Sequence, residues 1–479
     1  MLFSSNPFLF FFLPIVLLLY YGVFKPLFKS ITPRNILLLI FSLFFYAWGE
    51  EVFVFVLLGS ITANYIFGLL VDKYRENKPV AMTIIALSCI FNLTIIFIGK
   101  YLVFTVTNLN ALLGTRIPVP EIALPIGISF FTFQALSYVI DIYRQNGKVQ
   151  KNPLNVGLYI TFFPQLIAGP IVRYETVAEQ INYRTENLED FSKGVCRFIV
   201  GLAKKVIISN NMALVADAVF GADSPAVATA WMGALAYMFQ IYFDFSGYSD
   251  MAIGLGKMFG FHFEENFDYP YISTSITEFW RRWHISLGTW FRDYVYFPMG
   301  GSRVESKARL IFNLFVVWLL TGVWHGANWT FIVWGVYYFI LLVIEKLFLL
   351  DHIKNINKKP VYLRALSNIS TLFFVIIGWV VFRAENLGAF GNYITSMFGG
   401  TALTDDMFLG YFADKAVIFL LAVVFSLPIA QKVNELCRRN AALGKVQNVL
   451  YPIVIFVLFL ASAAYIVKGS YNPFIYFNF

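Results

Sequence analysis

The sequence predicts an all-α integral membrane protein that crosses the bilayer about eleven times, with re-entrant and interfacial helices beside the spans. Two observations predict it. Of 479 residues, 59% are hydrophobic and 13% charged, about half the charged share of a soluble domain. The apolar residues also gather in long runs between short loops, and roughly 20 apolar residues suffice to cross a hydrocarbon core. The 53 Phe and 27 Tyr suit lipid-facing helices and interfacial belts.

The candidate spans are 7–24, 35–48, 52–71, 80–99, 122–143, 155–172, 194–219, 228–258, 310–323, 327–350, 366–382, 408–430 and 448–467. Several are short or polar enough to be re-entrant, which reduces the expected number of true crossings to about eleven. No basic residue precedes the run from Pro7 to Phe24 and no small-residue cleavage site follows it, so a retained first span is expected.

Loop charges orient the spans. Lys25, Lys29 and Arg34 follow the first, Lys73, Arg75 and Lys78 the third, and Arg144, Lys148 and Lys151 the fifth. Lys354, Lys358, Lys359 and Arg364 fill one later loop; Lys432, Arg438, Arg439 and Lys445 fill another. The positive-inside rule puts all of these in the cytoplasm and the acidic pair Glu50 and Glu51 outside. The last span then leads outward, so 468–479 is expected as an aromatic tail on the extracytoplasmic side of a single polytopic domain, 1–479. The formal net charge of +8 is therefore read as topology, with no nucleic-acid partner. Cys89, Cys196 and Cys437 are too dispersed for a disulfide framework, and no metal site is expected.

Chemistry must come from polar groups set in apolar surroundings, which are functional-site hypotheses by default. Trp324-His325-Gly326-Ala327-Asn328-Trp329 lies between two apolar runs. His325 is suited to take a proton near neutral pH, with Asn328 as a hydrogen-bonding neighbour; close helix packing through the glycines is the structural alternative. Upstream, Glu278 to Arg309 holds six basic residues, three acidic ones, and Trp280, Trp283 and Trp290. If helical, Arg281, His284 and Gly288 share a face. Such a face fits a phosphate-bearing donor and equally an interfacial helix meeting lipid head groups.

Asp244-Phe-Ser246-Gly-Tyr-Ser-Asp250 puts two carboxylates six residues apart in an apolar run, where they need partners. A hydrolase triad on Ser246 lacks the strand–turn–helix elbow, so Asp244 and Ser246 are expected to line a polar cavity. Pro164, Gly169 and Pro170 break another run, and broken backbone at membrane depth belongs beside a cavity or under protein cover. The uncharged end, Tyr471 to Phe479, should fold back on the protein or the membrane. The Tyr476 phenol fits an aromatic belt or, beside a base, an acyl acceptor.

Taken together these residues resemble the membrane-bound O-acyltransferase family, from about residue 120 to the C-terminus. The resemblance is carried in order by Pro125-Ile-Gly-Ile-Ser-Phe-Phe-Thr-Phe-Gln134, Gly169-Pro170, Asp244 to Asp250, Asn266-Phe-Asp-Tyr-Pro-Tyr271, Arg281-Arg-Trp-His-Ile-Ser286 and Trp324-His-Gly326. Gln165 to Tyr174 is most similar to the bacterial polysaccharide O-acetylation branch, a close relative of the teichoic-acid D-alanylation branch.

The resemblance implies a ring of helices around a central funnel, in a multi-pass protein of the bacterial inner membrane. It implies His325 as the catalytic histidine and His284 as a second functional histidine, with Arg281, Trp283, Asn328, Asp244 and Ser246 as donor-binding or funnel residues. No cofactor is bound permanently. Acetyl-CoA is the implied co-substrate, entering from the cytoplasm. The implied partners are the lipid bilayer, an extracytoplasmic serine-esterase-like acetyltransferase and a polysaccharide acceptor, with Tyr476 as the acyl relay. Transfer of D-alanine or another acyl group is the nearer alternative. A polysaccharide exporter is the alternative of another class, and would call for internal inverted repeats.

Overall fold

The computed structural model describes residues 1–399, 402–469 and 471–475. The described residues form helices and turns, with no strand among them. Nine of the helices are long and apolar enough to cross a membrane: α1 Phe8–Leu27, α3 Phe53–Lys73, α4 Lys78–Leu113, α7 Leu188–Phe220, α11 Lys307–His325, α12 Trp329–Ile353, α13 Val361–Arg383, α15 Asp406–Phe425 and α17 Ala441–Val467. Between them lie the shorter α2 Thr32–Ala47, α5 Ile128–Arg144, α6 Pro153–Thr161, α9 Ile276–Arg282, α10 Ile285–Phe291, α14 Leu387–Gly399 and α16 Ile429–Arg439, and the 32-residue α8 Val227–Met258. This is an all-α multi-pass membrane protein. Length and hydropathy alone account for nine crossings against about eleven expected.

Two expected spans are interrupted. Helix α5 starts only at Ile128, after Gly127 turns with φ +75°. The 155–172 run breaks after α6, as Pro164, Gly169 and Pro170 predict. Its backbone is not left bare: the Phe163 N–H donates to Ser42 Oγ at 3.0 Å, and the Tyr159 hydroxyl donates to the Val172 carbonyl at 2.8 Å. Non-helical backbone survives at depth only under such cover.

The chain divides into two compact units, 1–198 with 248–264, and 199–247 with 265–479. In the first, Phe8, Phe12, Phe45 and Phe163 interlock, with Phe12 and Phe163 edge-on at 5.3 Å. Asn64 on α3 and Asn92 on α4 exchange amide hydrogen bonds of 2.8 and 3.0 Å. That is the polar adhesion expected between helices that gain nothing from excluding lipid. Glu186 is fixed by Arg34 at 2.8 Å and by the Tyr20 hydroxyl at 2.6 Å. Asp250 pairs with Arg197 at 2.9 Å.

The second unit is organised by the antiparallel hairpin α11–α12. Its helices touch at Gly322 and Gly335: a Cβ on either would come within 2.5 Å of a backbone carbonyl of the opposite helix. Small residues allow this approach, so the structural alternative for the glycines flanking His325 holds. Trp318, Trp334 and Tyr338 of the hairpin form an aromatic core with Trp280, Trp283 and Trp379.

Residues 278–292 do not form one helix. The chain leaves α9 at Trp283, His284 adopts the left-handed region at φ +46°, and α10 begins at Ile285. The loop at 266–268 stabilises the break. Asp268 N–H donates to Arg282 O and Ile285 N–H to Asn266 O, each at 2.9 Å. Arg281 and His284 therefore point apart, and the expected shared face does not exist.

Candidate active site

His325 is the last residue of α11, where the chain turns to extended backbone at Gly326 (φ −177°). A Cβ at Gly326 would lie 2.2 Å from the Phe331 ring, so this turn needs glycine for space. The imidazole is 6% exposed and boxed by Trp324, Trp334 and Phe382 at 5.0, 4.9 and 5.1 Å, all nearly perpendicular.

Asn328 is the N-cap of α12. Its Oδ1 accepts from the Thr330 N–H at 3.1 Å, and its Nδ2 donates to the Glu385 carbonyl at 2.8 Å. One N–H of that amide remains for another acceptor.

His284 is buried, 2% exposed, and lies outside the nine candidate spans. Its Nδ1 is 3.1 Å from Asn266 Oδ1; Nε2 has no hydrogen-bond partner among the described residues. Burial pushes its pKa down from the ordinary 6.5 to about 3, so the ring is neutral. It meets Phe245 edge-on at 4.5 Å and Trp324 at 6.0 Å. Trp324 thus stands between the two histidines. Trp283 packs on Phe267 and Trp379, at 5.0 and 4.7 Å.

Two cavities approach the hairpin from opposite ends. One of about 800 Å³ is lined by Arg281, Arg282, Arg292 and Lys346, together with Glu278 and Glu345. Arg282 is held by Asp268 and Glu278 at 2.8 and 3.0 Å, whereas Arg281 is exposed and makes no ion pair among the described residues. The other, about 350 Å³, is lined by Asn328, Phe331, Phe382, Arg383, Pro473 and Ile475, among others. Phe382 touches this second cavity and His325 alike. Along α12 the cavities are separated by eleven residues, Phe331 to Leu342, or roughly 16 Å of helix.

Asp244 is 1% exposed and pairs with Lys205, itself 2% exposed, at 2.6 Å. The same carboxylate accepts the Ile475 N–H at 2.9 Å, so the chain's end is drawn to it. Ser246 is buried nearby in sequence, its hydroxyl without a partner among the described residues. Tyr476 lies outside the described residues. Lys205 was not among the residues singled out from the sequence, although a lysine within an apolar span was a usable signal.

The description "MBOAT, membrane-bound O-acyltransferase family" fits residues 148–387, which include Lys205, Asp244, both histidines and Arg281. A probable alginate O-acetylase AlgI of Pseudomonas putida is 40% identical over the whole of both chains. The chain belongs to the membrane-bound O-acyltransferase family. A second probable alginate O-acetylase AlgI, from Pseudomonas syringae pv. tomato, is 46% identical over 83% of this chain and 75% of its own. A peptidoglycan O-acetyltransferase of Helicobacter pylori is 33% identical over 100% of this chain and 98% of its own. As a member of the MBOAT family the protein is an O-acyltransferase. The family match ends at Gly388's predecessor, Leu387, so the tail that meets Asp244 lies beyond it.

Proposed function

We propose that this O-acyltransferase takes an acetyl group from acetyl-CoA on the cytoplasmic side of the bacterial inner membrane and delivers it for O-acetylation of an extracytoplasmic polysaccharide. The carrying observation is that Pro473 and Ile475 line the same cavity as Phe382, whose ring packs edge-on against His325 at 5.1 Å. That arrangement supports Tyr476, the next residue after Ile475, as the acceptor of the acyl group.

In this reading His325 takes the phenolic proton of Tyr476 as general base. The phenolate oxygen forms a bond to the thioester carbonyl carbon. The C–S bond then breaks, and the coenzyme thiolate leaves with the proton from the imidazolium. The spare N–H of Asn328 is available to the tetrahedral oxyanion. Neutral His284 orders the wall between Phe245 and Trp324. Arg281, Arg282, Arg292 and Lys346 hold the donor's phosphates; their cavity lies at the end of α12 next to the basic loop at 354–364, which the positive-inside rule places in the cytoplasm. A second transfer, from the acetyl-tyrosine to the serine of an extracytoplasmic esterase-like partner, leads to the polymer. The names of the relatives support alginate or another cell-envelope glycan as the acceptor.

Incubation of the purified protein with radiolabelled acetyl-CoA, followed by peptide mapping, tests this. Label is expected on the peptide containing Tyr476, and absent in His325→Ala and in Tyr476→Phe. Full acetylation of polymer by Tyr476→Phe would rule out the relay; full activity of His325→Ala would rule out the base.

A further inference from the structure

We infer that the buried Lys205–Asp244 pair is a positioning clamp for the C-terminal segment, setting where the last residues enter the site. The inference rests on the relay reading above for its purpose, but on separate contacts for its existence. The pair joins α7 to α8 inside the protein. Gly247 makes that approach possible, since a Cβ there would lie 2.8 Å from Gly201 O and 3.2 Å from Lys205 N.

Both charges are spent on the tail as well as on each other. Lys205 Nζ donates to the Pro473 carbonyl and sits 5.9 Å over the Phe474 ring. Asp244 Oδ2 accepts the Ile475 N–H at 2.9 Å while Oδ1 faces Lys205 at 2.6 Å. Cation and anion thus grip backbone groups two residues apart in the tail. Two outer contacts lead the tail in: the Tyr471 hydroxyl donates to Asp217 at 2.6 Å, and Asn210 Nδ2 donates to Asn472 Oδ1 at 3.2 Å.

A buried ion pair is a poor way merely to join two helices, because desolvation offsets most of the attraction, and an apolar pair of similar volume often does as well. What an apolar pair cannot do is bind a backbone carbonyl and a backbone N–H two residues apart. Lys205 also lies in a π-helical stretch of α7, Lys204–Ser209. Such wide turns recur at functional sites, and here the stretch carries the lysine that the tail requires.

The test removes both charges together, so that neither is stranded: Lys205→Met with Asp244→Leu in the full-length protein. Asp244→Asn alone is the milder variant, keeping the shape and an acceptor for Ile475. Three readouts are taken: digestion of the C-terminus by carboxypeptidase, acetyl label on the tail, and acetylation of polymer. The clamp predicts that the double variant keeps its detergent melting temperature within a few degrees, loses C-terminal protection and takes up at least tenfold less label. A disulfide between Asn210→Cys and Asn472→Cys should restore label in that background, which no general folding defect would allow. If the tail stays protected in the double variant, or if Asp244→Asn and the double variant both label at the full rate with a protected terminus, the clamp is wrong and the relay reading stands. If the terminus is released but polymer acetylation is unchanged, the clamp stands and the relay reading is wrong.

Discussion

Substitution Gly335→Ala would reach His325, the proposed base, without touching it. A Cβ at Gly335 would lie 2.5 Å from the Trp318 carbonyl oxygen and 3.2 Å from Gly322 Cα. Ordinary contact begins near 3.4 Å, so the shortfall is about 0.9 Å. Backbone atoms cannot rotate out of the way, and α11 and α12 must part by nearly that amount. His325 ends α11 three residues beyond Gly322, and its ring rests on Trp334, the neighbour of Gly335, at 4.9 Å. The opening therefore passes directly into the imidazole's position. Overpacking of this kind costs about 1–3 kcal/mol, and a misplacement of about 1 Å costs on the order of 10²-fold in rate. Acetyl transfer by membranes containing equal amounts of protein should fall by that order, while the detergent melting temperature falls by only a few degrees. Gly391→Ala, with nothing within 4 Å of its added Cβ, should leave both unchanged. Wild-type transfer by Gly335→Ala would show that the hairpin does not fix His325, and the argument from helix contact to catalysis would fail.

Other substitutions separate the remaining roles. His284 is neutral in the fold, with its pKa near 3 against 6.5 ordinarily. The unfolded chain therefore binds the extra proton, and stability drops as pH falls from 6.5 towards 3, by about 1.4 kcal/mol per unit; melting curves at pH 7.5 and 5.5 should show a shallower acid loss in His284→Gln. Asn328→Ala removes the cap of α12 and should cost about 1 kcal/mol, seen as a lower melting temperature. A 10²-fold or greater loss of kcat at an unchanged melting temperature would instead make this amide an oxyanion donor. Arg281→Gln should raise KM for acetyl-CoA several-fold with kcat nearly unchanged, measured with saturating acceptor; an equal fall in kcat would place Arg281 at the reacting atoms rather than at the donor's phosphates.

Hydropathy made the spans legible because lipid exposure writes a simple rule into long runs: most of α3, α4, α15 and α17 follow it. Where protein rather than lipid covers the chain, that rule weakens. The break at His284 is set by hydrogen bonds that Asn266 accepts and one that the Asp268 N–H donates, and no local pattern in 278–292 announces them. Helix α14 is short and only half apolar, and it falls between two of the candidate spans. The histidines stood out because ionisable groups in apolar runs are few. Lys205 does not stand out, since most basic residues here lie in loops and mark topology. Its meaning depends on Asp244, about forty residues later, and on the backbone of Pro473 and Ile475, far beyond both. Asp244 and Asp250 were expected to need partners, and each has one, Lys205 and Arg197. That much followed from the cost of an isolated charge away from water.

The placement of polarity bears on how a group could cross without a leak. Between the two cavities of the second unit stand Trp280, Trp318, Trp334 and Tyr338, with ring centroids 4.8 to 6.1 Å apart. Rings packed at such distances fill the space between these helices with apolar surface. An acyl group handed from a thioester to a side chain needs only contact, not a channel. Such a handover demands a base that stays in the dry part of the site and an acceptor that can be brought to it. His325, boxed by three aromatic rings at the end of α11, has the first property. The tail held by Lys205 and Asp244 bears on the second, because those contacts fix its backbone at Pro473 and Ile475, the residue before Tyr476. Were the tail instead only an interfacial belt, the two buried charges that grip its backbone would have no purpose that an apolar contact could not serve at lower cost in desolvation.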